Sequence, residues 1–328
     1  MDSPKPFPIL RLPFLAIEDV FKAMHPYEIF IFSVISKRTK RISKQMSFYP
    51  RYAICLCIDE TLGIEIHGTN NVKLCLYLRT MEENTVEGEG SSYYNLRRIL
   101  KYSTDPVEEW KLLCKHVLEI FKKQSIDNLS MTMDVFVDQN VSIIDFLKTN
   151  VQSVDICNLD QSEEKNDVDE HAAYLLNNLK VNNELNFLLR IKNVNFNGKF
   201  PKNQKELYIE NGDWIGYEKL LEIDSVQVIL VTNRISNKDW NLFFKKWIAM
   251  ETQLNLELMY FEIKSLEEFR SLVLHDIPHE VVDGGVKRVL KTYRDVTREI
   301  SGGVDIKRID GKTATFFLLY DYCSMSVH

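Results

Sequence analysis

The spacing of apolar residues at the start of the chain predicts two short helices. In the first helix the apolar positions recur at i, i+3, i+4 and i+7: Ile17, Val20, Phe21 and Met24. Pro13, which follows Leu12, suits the first turn of that helix because a proline there loses no hydrogen bond. Pro26 ends the helix, and a second apolar helix follows through Ile29. So short a segment cannot bury these side chains by itself. We therefore predict that residues 7–44 dock on a partner or, alternatively, pack as a helical hairpin on the rest of the chain.

After Met46 the apolar residues alternate with polar ones, which predicts β-strands. Three segments have this pattern: YAICLCI at 52–58, GIEIHG at 63–68 and VKLCLYL at 72–78. Residues 82–92 are polar and rich in glycine, and we predict a loop there. Asp105 and Pro106 then supply the start signals of a helix predicted to extend to about residue 123.

A string of the form apolar-x-apolar-x-Asn occurs four times between residues 126 and 275. The copies are Val154-x-Ile156-x-Asn158, Leu189-x-Ile191-x-Asn193, Leu207-x-Ile209-x-Asn211 and Ile229-x-Val231-x-Asn233. Short strands that recur at roughly 20–29 residues are typical of leucine-rich-repeat solenoids. We predict parallel strands with all the apolar pairs facing one core and the four asparagines at equivalent positions. The alternative is an irregular α/β domain in which the asparagines coincide by chance.

Two further segments have clear patterns. Ser236 begins a predicted helix that extends to about Glu251. The apolar face of this helix consists of Trp240, Phe243, Phe244, Trp247 and Ile248. Near the end of the chain, Asp310-Gly311 lies between two apolar segments, which is a strong hairpin signal. The chain is therefore predicted to end in two paired strands, 304–309 and 314–320.

Composition and charge narrow the class of protein. The chain has 328 residues, of which 45% are hydrophobic and 27% charged, so we expect most of it to fold. A net charge of −6 argues against a nucleic-acid-binding protein. The basic segment Lys37–Lys44 is either a solvated helix face or a docking site for an acidic partner. The acidic residues at 160–170 form either a solvated loop or a docking strip for a basic ligand. Apolar runs such as Ile29–Phe32 are far too short to cross a membrane.

The sequence offers no catalytic or metal-binding constellation. The six cysteines lack the paired spacing of a zinc site, and Cys55 and Cys57 alternate in a predicted strand, so we expect them to pack rather than react. Pro278 prevents the regular helix that would bring His275 and His279 onto one face. The motifs of zinc proteases, α/β-hydrolases and P-loop enzymes are missing. We expect no cofactor, no metal and no catalytic activity, in an intracellular protein with reduced thiols, because the N-terminus lacks the features of a signal sequence.

Three sequence features occur together at the N-terminus: the pair Leu12-Pro13, the run Met24-x-Pro26-x-Glu28, and Ser33 and Ser36 before Lys37-Arg38. Together they resemble an F-box, the adaptor-docking module of cullin-type ubiquitin ligases. The resemblance implies a three-helix module whose partner is a Skp-family adaptor. The residues expected to bind the adaptor are Leu12, Pro13, Ile17, Val20, Phe21, Met24, Pro26 and Ile29.

Two C-terminal segments carry a second resemblance. They are VILVTNRISNKDWNLFFKKWIAM at 228–250 and GGVDIKRIDGKTAT at 302–315. Both are similar to the F-box-associated domain (type 2) of the large nematode-type F-box family. The second resemblance implies a domain that binds a target protein.

These observations give one expectation for the whole chain. We predict a mixed α+β and α/β fold: an F-box at 7–45, a strand-rich connecting region with a long helix at 46–125, and an irregular leucine-rich-repeat-like domain at 126–320 that ends in a β-hairpin. The resemblances imply the substrate-recognition subunit of a Skp-adaptor/cullin–RING ubiquitin ligase, cytoplasmic or nuclear, with no nucleic-acid or membrane partner. The alternative is a stand-alone interaction scaffold outside any ligase.

Overall fold

The computed structural model describes residues 9–69, 72–80, 96–163, 166–263, 265–293, 296–319 and 322–328. The contacts divide the chain into two compact units. The N-terminal unit comprises Met1–Leu129 with Thr149–Val151, and the C-terminal unit comprises Ser130–Lys148 with Gln152–His328.

The helices of the N-terminal unit are α1 (Phe14–Ala23), α2 (Pro26–Val34), α3 (Lys37–Ser43) and α4 (Pro106–Ile120). Side-chain caps set the first residues of α2, α3 and α4. The His25 side chain accepts a hydrogen bond from the Tyr27 N–H, and Glu28 accepts one from the His25 N–H, so α2 begins at Pro26. Asp105 caps α4 as predicted.

Four strands lie within the N-terminal unit: β1 (Ala53–Ile58), β2 (Leu62–His67), β3 (Lys73–Thr80) and β4 (Leu96–Ser103). A fifth strand, β5 (Ser125–Thr132), begins in this unit and ends in residues assigned to the C-terminal unit. Their order is β5-β1-β2-β3-β4. The three predicted strands are present as β1–β3, whereas the sequence did not predict β4, which is parallel to β3. The loop predicted at 82–92 lies outside the described residues. Helix α4 packs on this sheet, where the Trp110 indole N–H donates to the Gly63 carbonyl at 3.3 Å.

Nine strands form the sheet of the C-terminal unit: β6 (Ser153–Asp160), β7 (Val181–Phe187), β8 (Gln204–Ile209), β9 (Ser225–Leu230), β10 (Leu258–Glu262), β11 (His279–Lys291), β12 (Thr297–Lys307), β13 (Thr313–Leu319) and β14 (Tyr322–Val327). Their order is β6-β7-β8-β9-β10-β14-β13-β12-β11. The helices in this part of the chain are α5 (Asn140–Asn150), α6 (Asp169–Asn178), α7 (Tyr217–Glu222), α8 (Asn237–Ile248) and α9 (Leu266–Leu272). Strands β6–β10 are parallel to one another, strands β11–β14 pair antiparallel among themselves, and β14 pairs antiparallel with β10.

One face of this sheet is buried beneath helices. Its side chains form a register row across five strands: Cys157, Leu185, Leu207, Val228 and Met259. Every one of them is fully buried. The predicted helix at 236–251 is present as α8 with Ser236 as its cap, and its Trp240 ring stacks on Phe261 at 4.4 Å. The apolar stripe of α8 therefore faces the sheet, as its spacing predicted.

The register corrects the predicted asparagine repeat. Parallel strands do follow one another along β6–β10, but Asn158 pairs in register with Asn186, which the repeat omitted. The Leu189–Asn193 copy lies beyond the end of β7. Ile229 aligns with Tyr208 rather than with Leu207, so the 229–231 pair lies on the face opposite the helices. The prediction that all the apolar pairs face one core, with the four asparagines at equivalent positions, was therefore wrong, and the leucine-rich-repeat label is not confirmed.

The predicted C-terminal hairpin is present as β12 and β13, which pair antiparallel around Gly311. Gly311 has a φ of +93°, which favours glycine. The predicted Tyr320 boundary lies outside the described residues. The chain does not end with this hairpin, because β14 follows and inserts between β13 and β10.

The buried Arg308 links this hairpin turn to the end of α8. Its guanidinium donates to both carboxylate oxygens of Asp310 and to the Leu254 carbonyl, and it lies over the Trp247 ring at 5.2 Å. The Arg308 guanidinium lowers the pKa of Asp310 from 3.8 to about 2. Arg308 and Asp310 of the 302–315 segment thus hold the hairpin turn against α8, the helix that carries Trp247.

This ion pair predicts a pH dependence of unfolding. The folded-state pKa of Asp310 lies below its ordinary value, so its contribution to stability is complete above about pH 4 and is lost as the pH falls towards 2. We expect Asp310→Asn to lower the melting temperature at pH 6, with the difference from wild type closing between about pH 4 and 2. A difference that stays constant over that range would contradict this assignment.

Candidate protein-docking surfaces

The structure buries half of the residues that were expected to bind the adaptor. Ile17, Phe21, Pro26 and Ile29 lie in the interior of the N-terminal unit, where the Phe21 ring meets Phe32 edge-on at 5.2 Å. Three others are partly buried and one is exposed: Leu12, Val20 and Met24, then Pro13. These four side chains therefore lie inside the folded unit rather than on its surface. The periodicity located the helix stripe but did not distinguish a core from a docking face.

Helix α4 packs against α2 and forms an ion pair with α3. Ser33 Oγ lies 2.7 Å from the Nε2 atom of His116, whose ring also meets Phe30 edge-on. Burial lowers the pKa of His116, with a further contribution from Lys40, so the imidazole is neutral at physiological pH. Lys40 pairs with Glu119 at 2.9 Å. Helices α2 and α3 of the predicted F-box therefore contact residues of the following region, α2 by packing and α3 through an ion pair.

Exposed apolar side chains remain at one end of the α1–α2 pair. We call them the apolar tip: Pro13, Phe14, Leu15, Val34 and Ile35. Leu15 is 73% exposed. A contact of 3.5 Å from the Arg38 guanidinium to the Leu10 carbonyl brings the chain before α1 next to the start of α3. The beginning of α1 and the end of α2 are therefore neighbours. Clustered exposed apolar side chains of this kind mark an interaction site.

A groove lies on the face of the C-terminal sheet opposite the helices. It has a volume of about 430 Å³. Its lining is mainly aromatic and aliphatic: Tyr208, Ile229, Val231, Tyr260, Thr292, Tyr293, Val296, Arg298, Leu319 and Tyr322. We call this the tyrosine groove. The apolar pattern of the sequence did not predict this groove. The same apolar-Tyr-apolar-Glu string nevertheless occurs twice, at 207–210 where β8 ends and at 259–262 in β10.

A second cavity, of about 340 Å³, lies beyond the ends of β9 and β10. Asn233, Trp240, Glu262, Ser265 and Phe269 are among its lining residues. The Ser265 hydroxyl accepts a hydrogen bond from the Glu268 N–H, so it caps α9. No histidine, cysteine or lysine lines this cavity among the residues that the structure describes. The arrangement provides no activated nucleophile.

The cysteines of β1 are arranged for packing. Burial raises the pKa of the Cys55 thiol to about 11 and that of Cys57 to about 12, and the Glu65 carboxylate adds to both shifts. Both thiols are therefore protonated at neutral pH. Within the described ranges, no group of three or more His, Cys, Asp or Glu side chains could hold a metal ion. No helix in that part of the chain is long and apolar enough to cross a membrane.

Comparison with known families supports both predicted domains. Residues 9–51 match the F-box domain, and residues 195–261 match the family described as F-box associated. The chain carries an F-box and an F-box-associated domain. The apolar tip lies within the F-box, and the floor of the tyrosine groove contains Tyr208, Ile229 and Tyr260 of the F-box-associated domain. This is the architecture of F-box substrate-recognition proteins, which are typically non-catalytic.

Two relatives come from Caenorhabditis elegans. The Skn-1 dependent zygotic transcript 15 protein is 23% identical over 94% of this chain and 93% of its own length. The E3 ubiquitin-protein ligase hecw-1 is 22% identical over 83% of this chain, but the match spans only 24% of that protein. No solved structure matches the chain significantly.

Proposed function

We propose that this protein is the substrate-recognition subunit of an SCF-type ubiquitin ligase. Its F-box would dock on a Skp-family adaptor and through it on a cullin, while the C-terminal domain would hold a target protein. The F-box and the F-box-associated domain in one chain are the observation that carries the proposal. The protein would contribute proximity, because holding the target raises the effective concentration of its lysines near the charged conjugating enzyme.

The exposed apolar tip supports the docking half of the proposal. Leu15 and Ile35 are strongly exposed apolar residues on neighbouring helix ends, and burying them in a partner would remove apolar surface from water. We therefore shift the expected adaptor contacts from the interior of the F-box to this surface. Of the eight residues first predicted, Pro13 is exposed and belongs to the tip.

Adaptor binding by the full chain tests this assignment. We expect the double variant Leu15→Asp, Ile35→Asp to bind a purified Skp-family adaptor at least about thirtyfold more weakly. This corresponds to about 2 kcal/mol of binding free energy, which is the typical loss when an interface anchor is removed. Leu112→Asp on α4 is the matched control, since Leu112 is 70% exposed and lies outside the tip. Biolayer interferometry gives the affinities, and melting curves verify folding.

Two outcomes would count against the proposal. Near-wild-type adaptor binding by the double variant would show that the tip is not the docking surface. Failure of the wild-type chain to join a reconstituted adaptor–cullin complex would instead favour a scaffold that acts outside a ligase.

A further inference from the structure

We propose that two copies of this protein associate through β11, the strand of one copy pairing antiparallel with the same strand of the other about a two-fold axis at Gly285. The C-terminal sheet would then continue from one copy into its partner. This inference does not depend on the ligase assignment, because it concerns the edge of the C-terminal sheet and not the docking of the F-box.

Strand β11 forms one edge of the sheet. It is the last strand in the sheet order, and β12 is the one strand that pairs with it among the residues that the structure describes. Alternate N–H and C=O groups of an edge strand point away from its neighbour, where another strand can pair with them. With 13 residues, β11 is also the longest of the described strands. The main chain of this edge therefore selects an extended strand as its occupant.

Two exposed valines lie on the same face of β11. The Arg288 guanidinium reaches the Asp305 carboxylate at 2.7 Å, so these two side chains share one face of the β11–β12 ribbon. Val281, the register partner of Val304, and Val289 therefore lie on the other face. They are 55% and 71% exposed. Exposed β-branched side chains on an edge strand are those that cross-strand pairing would bury.

The positions of these valines select a second copy of the chain as the occupant. Val281 and Val289 lie four residues before and four residues after Gly285. Antiparallel self-pairing centred on Gly285 therefore places Val281 of each copy opposite Val289 of the other, with Cβ atoms about 4.5–5.5 Å apart. Because a two-fold interface uses the same surface of both copies, this valine pair occurs twice.

The neighbouring residues favour this register over others. A pairing shifted by two residues would place the valines opposite polar side chains instead: His279, Asp283, Lys287 and Lys291. In the register centred on Gly285, Asp283 lies opposite Lys287, so no like charges meet there. Both side chains already have contacts within the chain, Asp283 with the Gly285 N–H and Lys287 with Glu299. Their contribution is therefore to avoid repulsion rather than to add an attraction.

The bulge in β11 lies at the proposed axis. The register with β12 shifts between Val282 and Lys287. A bulge usually protects an edge strand by bending it away from other strands. A two-fold axis perpendicular to the sheet, however, places the bend of one copy beside the same bend of the other, so both strands turn in the same direction. The centre has space for a neighbour, because a Cβ added at Gly284 would meet no atom within 4 Å among the described residues.

Sedimentation velocity of the full chain tests the proposal. Loading concentrations from about 1 to 100 µM are needed, because an interface made of one strand edge is small and such interfaces associate weakly. We expect wild type to pass from monomer to dimer within this range. The variants are Val281→Glu, Val289→Lys and the double variant that combines them. Val194→Lys is the matched control, since Val194 is 76% exposed and lies outside β11.

The two single variants should each weaken dimerisation at least about tenfold, because each places charged side chains opposite valines at two positions of the interface. The double variant places glutamate opposite lysine at both positions, so it should dimerise more tightly than either single variant. An equimolar mixture of the single variants should also associate more tightly than either variant alone. The Val194→Lys control should dimerise as wild type does.

Three outcomes would overturn the proposal. A wild-type chain that stays monomeric at every concentration would leave the β11 edge to a strand of another protein. A dimer that forms as tightly in both single variants as in wild type would place the interface elsewhere. A double variant no tighter than the single variants would contradict the pairing of Val281 with Val289. None of these readouts involves the adaptor, so they do not bear on the ligase assignment.

Discussion

Replacing Trp247 with alanine should destabilise the C-terminal unit by about 3–5 kcal/mol, because removal of a large buried aromatic ring leaves a cavity. Trp247 is completely buried in α8 and lies beneath the guanidinium of Arg308. For a domain of this size each kcal/mol corresponds to about 2–4 °C in melting temperature. Calorimetry of the full chain should therefore show a transition that moves down by roughly 6–20 °C.

A phenylalanine variant separates the cavity from the chemistry of the indole. The Trp247 Nε1 atom is buried without a hydrogen-bond partner among the described residues, so Trp247→Phe removes ring volume but no hydrogen bond. We expect its loss of stability to be clearly smaller than that of the alanine variant. Equal losses would mean that the contact with Arg308, rather than the volume of the ring, is what stabilises α8. An unchanged melting temperature in both variants would place Trp247 outside the core.

The sequence predicted α8 well because its signals are local. Ser236 caps the helix, and the apolar spacing from Trp240 to Trp247 defines one buried face. The partner of Trp247 could not be predicted in the same way. Arg308 is distant in sequence and reaches the ring only because the turn after β12 is fixed by Asp310. A periodic pattern locates a buried face, whereas the identity of the group that covers it depends on tertiary packing.

Strand β9 shows why the repeat was misassigned. Residues 228–231 are four apolar side chains in succession, so alternation gives no basis for choosing between the two faces of the sheet. The register shows that Val228 faces the helices and Ile229 faces the tyrosine groove. A continuous apolar run on this strand is therefore consistent with a second apolar surface on the opposite face of the sheet. Strand β4 was missed for the opposite reason, since edge strands carry little apolar alternation.

The tyrosine groove combines residues from four parts of the chain. Tyr208, Tyr260, Tyr293 and Tyr322 come from β8, β10, the β11–β12 turn and β14. Their proximity depends on β14 inserting next to β10, a long-range pairing that no local signal specifies. The apolar tip is simpler to find, because its residues flank the predicted helices. The structure buries half of the residues first expected to bind the adaptor, and which face of the F-box docks stays a prediction.

Replacing Phe21 with alanine should also have a large effect, but by unfolding rather than by removing a contact. Phe21 is completely buried and packs edge-on against Phe32, so its truncation should cost about 3–5 kcal/mol. Because Phe30 and Ser33 of α2 contact His116 of α4, we expect the loss to extend beyond the F-box. Hydrogen exchange of the full chain, measured by mass spectrometry, should show faster exchange in the amides of α1, α2 and α4.

Comparison with the Leu15→Asp, Ile35→Asp variant of the apolar tip distinguishes a structural role of Phe21 from direct contact with the adaptor. Both Phe21→Ala and the Leu15→Asp, Ile35→Asp variant should weaken adaptor binding, but only Phe21→Ala should accelerate exchange in α4. Phe14→Ala serves as the matched control, because the Phe14 ring is exposed and its removal leaves no cavity. If Phe21→Ala abolished adaptor binding while exchange in α1–α4 stayed at the wild-type rate, Phe21 would be a direct contact. The F-box interior would then have to open when the adaptor binds, and the original prediction for the helix stripe would hold.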